Sequence, residues 1–242
     1  VARSVDTPSL RDGALGAVAE AHGRDVMPAL EICEEIADVE ARSNTLAVIA
    51  TEAVEARLFD RAVAAARAIP LTADRASCLA RIAAKMKPMR EPERSAQVFD
   101  DAVRTALSGS GPRHRSCALA TVAEQLCEAD EFTRAGDVAA QMAVGTERDG
   151  TLRLVVEAMV AAGRFGEALD SAGAVTDPGI RTVVLGDMAA AMSRRDVGAR
   201  AEAVFDDAIQ LSGTLGPGSA RRGVRLQLLG ALVGAKQDAR AA

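Results

Sequence analysis

The pentapeptide VFDDA occurs twice, at 98–102 and 204–208, and each copy sets two carboxylates side by side: Asp100–Asp101 and Asp206–Asp207. Adjacent carboxylates are raw material for a divalent-cation site or for paired acid–base chemistry. On a helix, however, neighbouring residues point about 100° apart, so neither pair chelates one ion unaided. A calcium or magnesium site needs further oxygen ligands at set spacings, and none accompanies these pairs. His114, Cys117 and Cys127 have the composition of a partial zinc site. On one helix, Cys117 and Cys127 would stand roughly 15 Å apart at 1.5 Å per residue, too far for a shared zinc ion. Nothing in the pattern places His22 or His114 beside a thiol for Cys–His catalysis. Glycine-rich phosphate loops, nucleophile elbows and zinc-protease motifs are absent. The expectation is a non-catalytic chain with no metal and no cofactor.

An arginine recurs with a fixed sequel: Leu four residues later, an aliphatic at seven and a small residue at eight. Arg11, Leu15, Val18 and Ala19 fit, as do Arg42, Leu46, Ile49 and Ala50. Arg75, Leu79, Ile82, Ala83 and Arg115, Leu119, Val122, Ala123 continue the series, and Arg148, Leu152, Val155 and Val156 depart only at the small position. Arg181, Leu185, Met188, Ala189 and Arg222, Leu226, Leu229, Gly230 complete seven copies, with starts 31, 33, 40, 33, 33 and 41 residues apart. A ladder of arginines suggests anion binding. A residue present in every unit is more simply a repeat-forming contact, to a carboxylate or to the carbonyl end of the preceding helix.

The elements that carry these residues read as helices. The chain is 49% hydrophobic but only 2% aromatic, with no Trp or Tyr, and is dominated by strong helix formers. Offsets 0, 4, 7, 8 and 11 from each arginine fall on one arc at 100° per residue, giving an apolar stripe. A turn follows near offsets 14 to 18, as in AAGRF at 161–165 and EADEF at 128–132. A second helix then sets small or apolar residues at offsets 20, 24 and 27, such as Ala62, Ala66 and Ile69, or Ala201, Phe205 and Ala208. Small residues at 8 and 20 let paired helices approach closely. A lone hairpin of this kind cannot bury its own apolar face, so neighbours must stack. The two long units end in glycine-rich loops, expected at Ser108–Pro112 and Ser212–Gly218. VFDDA precedes each loop and is thus a property of the repeat.

This pattern resembles the tetratricopeptide-repeat (TPR-like) family, from about Arg11 to Lys236. The likeness rests on an aliphatic residue and a small one, twelve residues before a small residue in the second helix, continued by Phe99 and Ala102 and by Phe205 and Ala208. The family's usual Trp and Tyr are missing, a closing proline is clear only at Pro70, and units of 40 and 41 residues are long. The resemblance implies an all-α, right-handed α-solenoid of about seven helix-turn-helix repeats, the last incomplete, forming a single domain over 1–242. It also implies that the first helices line a concave groove. The family's carboxylate clamp for C-terminal peptides relies on Lys and Asn; Asn44 is the sole asparagine, so that clamp is not transferred.

Opposite the core stripe lie offsets 2, 6, 9 and 13, which make Arg81, Thr121, Glu124, Glu128, Glu157, Asp187 and Arg194 the candidate groove residues. On the last first-type helix, near Arg222–Lys236, the same offsets are apolar. Val224 and Leu228 hold two of them and Leu232 extends the apolar strip, so these three are a candidate interface, including for self-association into a homo-oligomer. The net charge of −5 argues against nucleic acid. No apolar run approaches the roughly 18–20 residues of a membrane span. The opening VARSVDTPSL lacks a signal-peptide layout, and Cys33, Cys78, Cys117 and Cys127 do not form a disulfide framework, so a cytoplasmic setting is expected. The functional expectation is a protein-interaction scaffold or sensor module that binds a peptide or helix in the groove. The alternative is a helical receptor for a small molecule.

Overall fold

The computed structural model describes residues 2, 7–21, 26–89, 91–195, 198–217 and 219–241. Among them the chain is all-α, with no strand. In order, the helices are α1 (Pro8–Ala21), α2 (Val26–Glu34), α3 (Val39–Glu55), α4 (Phe59–Ala68), α5 (Thr72–Met86), α6 (Pro92–Leu107) and α7 (Pro112–Glu128). They continue as α8 (Phe132–Ala140), α9 (Thr146–Ala161), α10 (Phe165–Gly173), α11 (Pro178–Arg194), α12 (Gly198–Thr214) and α13 (Ser219–Ala241). A 3-10 turn, Lys87–Met89, follows α5. No helix among the described residues is long and apolar enough to cross a membrane.

The contacts divide the chain into two compact units, Val1–Ala129 and Asp130–Ala242. The division falls between α7 and α8, inside the fourth copy of the arginine pattern. Within the first unit, α1 packs on α2 and α3, α3 on α4 and α5, and α5 on α6 and α7. Within the second, α9 packs on α8, α10 and α11, and α11 packs on α12 and α13. Within the units, α1, α3, α5, α9 and α11 thus each touch both a hairpin partner and the next odd-numbered helix.

Residue chemistry sets the helix limits. Asp38 and Asp177 cap α3 and α11 by accepting from the backbone N–H of Ala41 (2.7 Å) and Ile180 (2.8 Å). Pro92, Pro112 and Pro178 open α6, α7 and α11, where a missing N–H costs nothing. Each of three hairpin turns holds one residue in the left-handed region at offset 15 from its arginine: Arg57, Asp130 and Gly163. The expected stripes are the cores. Leu46, Ile49 and Ala50 of α3, Leu79, Ile82 and Ala83 of α5, and Leu185, Met188 and Ala189 of α11 are all buried.

The recurrent arginine is a joint. Arg75 donates to the carbonyls of Ile69 (2.7 Å) and Pro70 (3.2 Å), and Arg115 to that of Gly109 (3.3 Å), each just past the preceding helix. A cation there meets the negative end of the helix dipole. The Nε atoms of Arg42, Arg148, Arg181 and Arg221 are buried without a hydrogen-bond partner among the described residues, so the carbonyl contact belongs to Arg75 and Arg115. In the seventh unit Arg221 is half-buried and the expected Arg222 is exposed, so the register differs from the one read from Arg222.

That shift turns α13. Leu228 is 5% exposed, whereas Leu226, Leu229 and Val233, placed by the pattern in the stripe, are 69%, 56% and 53% exposed. The cause is Gly186 on α11, where even a Cβ would come within 2.9 Å of Leu228 Cδ1. Val224 lies near Gly179, and Leu232 is half-buried. Of the expected interface residues, Val224 and Leu228 thus pack against α11. Val18 is likewise 42% exposed, because offset 7 faces the preceding first-type helix and α1 has none among the described residues. The loop expected at Ser212–Gly218 is shorter, since α12 runs to Thr214. The Ser212 and Thr214 hydroxyls donate back to the carbonyls of Ile209 and Leu211, both at 2.7 Å. Gly218 lies outside the described residues.

Candidate functional site

Three of the seven candidate groove residues come together in the second unit. Glu157 on α9 and Asp187 and Arg194 on α11 line one cavity of about 340 Å³. Its walls include Val156 and Val160 from α9 and Val184, Met188 and Ala191 from α11. Val156, Val184 and Met188 are buried residues that show only their tips here. Glu157 holds offset 9 on α9, and Asp187 and Arg194 hold offsets 6 and 13 on α11, the offsets that the pattern sets opposite the core stripe.

The charges in this cavity are unevenly committed. Arg153 donates to Glu157 at 2.6 Å across one helical turn. Arg195 donates to the Ala161 carbonyl at 2.8 Å and lies 5.8 Å from the centre of the Phe165 ring. Asp187 opens onto the cavity and makes no hydrogen bond or ion pair among the described residues. Lost solvation, and then the charge of Glu157, push its carboxyl above the ordinary value of 3.8; Arg153 and Arg194 pull the other way.

The other candidates lie apart from this cavity. Arg81 belongs to a recess of about 140 Å³ in the first unit, between α3 and α5, with Thr51, Val54, Cys78, Ile82 and Lys85. On α7, Thr121 donates to the Cys117 carbonyl (3.3 Å), and Glu124 and Glu128 are exposed. Of the paired carboxylates, Asp101 pairs with Arg67 (2.7 Å) and Arg104 (3.5 Å). Asp207 edges a recess of about 370 Å³ that also holds Arg181. Burial, followed by the charge of Glu124, raises the Cys127 thiol to about 11; burial and then Glu20 do the same at Cys33, and both are weak nucleophiles.

Two residues that sequence reasoning passed over organise the scaffold. Asp149, one position after a joint arginine, accepts from the Thr176 N–H (3.0 Å), the Thr176 hydroxyl (2.8 Å) and the Asp177 N–H (2.7 Å). Asp12 accepts in the same way from the N–H groups of Ala37 (3.2 Å) and Asp38 (2.9 Å). Each carboxylate ties one first-type helix to the start of the next. The available signal was a short polar residue after the arginine, as also at Ser43, Ser116 and Thr182.

No protein-family model and no curated protein matches the chain. Among solved structures it is similar to the crystal structure of Ton1535 from Thermococcus onnurineus NA1, at 12% identity over 94% of this chain and 93% of that one. The TM-score is 0.34, too low to transfer a fold or a role.

Proposed function

We propose that the chain is a TPR-like helical-repeat module that binds a peptide or helix of a protein partner on its first-type helices, without catalysis. The supporting observation is the α9–α11 cavity, where an apolar floor and uncommitted charge meet on the face that the repeat leaves uncovered. The repeat itself is supported by four contacts that each span 34 residues: Arg67 with Asp101, Arg94 with Asp60, Thr133 with Glu167, and Arg195 with the Ala161 carbonyl. A cytoplasmic setting belongs to the same proposal, with four free thiols as its support.

A photo-cross-linking residue at Arg194 tests the proposal against one at Glu202, an exposed position on α12. The expected result is a cross-linked polypeptide from position 194 and none from 202. Capture from 202 alone, or from neither, refutes it. The cavity volume also falls within the range of small-ligand pockets, roughly 300–1,000 Å³, which favours a small-molecule receptor as the second reading. Stabilisation by a small molecule that also blocks cross-linking at 194 would select that reading.

A further inference from the structure

We infer that the α9–α11 cavity receives a lysine or arginine side chain of the bound protein, its aliphatic stem on Val156, Val184 and Met188 and its cationic head at Asp187 and Glu157. This inference rests on first-type helices being the binding face. The cavity has the two parts that such a side chain needs. Its floor is apolar and built from buried residues, and its acidic end carries two carboxylates, one from each helix. Long basic side chains are amphipathic in the same order, with a methylene stem ending in charge.

Other occupants fit less well. An acidic side chain set beside Asp187 would face two carboxylates, although Arg194 and Arg195 also line the cavity. An apolar one would cover Asp187 and leave its charge without a partner, which is costly. The cations already present act on Asp187 through space, Arg153 and Arg194 both favouring its charge, but none among the described residues is bonded to it. Arg153 is held by Glu157, and Arg195 by the Ala161 carbonyl and the Phe165 ring. Arg194 stands seven residues along α11 from Asp187, roughly 10 Å at 1.5 Å per residue. The raised Asp187 pKa agrees with a site short of positive charge. A basic group arriving there would offset both the lost solvation and the repulsion from Glu157.

The test is a methyl-NMR titration of the whole protein, reading the Met188 methyl group, which is assigned through Met188→Leu. The probes are the N-acetyl methylamides of lysine, arginine, norleucine and glutamate. The lysine and arginine probes should give saturable shifts. Asp187→Asn, which should melt no lower than wild type, should weaken their binding about fivefold. Equal binding by norleucine or glutamate overturns the cation assignment while leaving the face as a binding surface. No shift with any probe also overturns it, and cross-linking at position 194 then decides separately whether the face binds protein.

Discussion

Asp149→Asn is the sharpest test of how the scaffold is held. The side chain is 2% exposed and accepts three hydrogen bonds from the two residues that open the way into α11. Asparagine keeps the shape but removes the charge, and its NH2 group turns a donor toward a donor. Weakening three charge-assisted, part-buried bonds and leaving one N–H without its acceptor costs about 2–3 kcal/mol. For a chain of this size that lowers the melting temperature by about 4–12 °C, read by circular dichroism. Thr176→Val removes the hydroxyl alone and should cost about 1 kcal/mol, non-additively with Asp149→Asn. Burial pushes the Asp149 carboxyl up, but the bonds from Thr176 and Asp177 and the charge of Arg148 outweigh it, so its pKa lies below 3.8. A depressed folded value stabilises fully above the unfolded value and is lost as pH falls through the folded one. The gap between wild type and Asp149→Asn should therefore hold above 3.8 and close below it. A cost under about 0.5 kcal/mol, the scale of an ordinary surface change, refutes the clamp.

Three further outcomes follow from the same geometry. Gly163→Ala should cost about 1–2 kcal/mol in urea unfolding, because φ is +78° and the new methyl meets the Arg195 guanidinium; Gly150→Ala, inside α9 with open space around it, should gain up to about 1 kcal/mol. Leu228→Ala should cost about 2–4 kcal/mol while Leu226→Ala stays within about 0.5, and the reverse order would restore the Arg222 register. Asp187→Asn should leave the unliganded protein as stable or more stable at neutral pH. Its folded pKa is raised, so the ionised carboxyl opposes folding above that value and the advantage of Asn disappears below 3.8.

The arginine pattern placed most of the core because offsets 4, 7 and 8 are buried by neighbours that the repeat itself supplies. It failed where a neighbour is missing. The pattern favours Arg222, with Leu226, Leu229 and Gly230, over Arg221, whose offset 4 is Arg225; only the groove over Gly186 favours Leu228 over Leu226 and Leu229. The helix extension to Thr214 was hidden by composition, since Ser, Gly and Thr read as loop until their hydroxyls find carbonyls in the preceding turn. Offset arithmetic named Glu157, Asp187 and Arg194 among seven candidates without singling out these three as one site. Arg81 and the α7 residues share the same offsets, yet the recess around Arg81 is smaller and carries Lys85 in place of a carboxylate. Asp12 and Asp149 escaped because their partners lie 25 to 28 residues away in loops, beyond any helical period.

The 34-residue spacing of the contacts has a consequence for how such a gene changes length. Arg94 reaches back to Asp60, Glu167 to Thr133 and Arg195 to Ala161, so what a unit needs is supplied by the unit beside it. The three contacts differ in kind, with a carboxylate, a hydroxyl and a backbone carbonyl as partners, so an in-frame loss of 34 residues is not neutral. Taken across Arg94, it sets Glu128 against Asp60 and turns an ion pair into a repulsion.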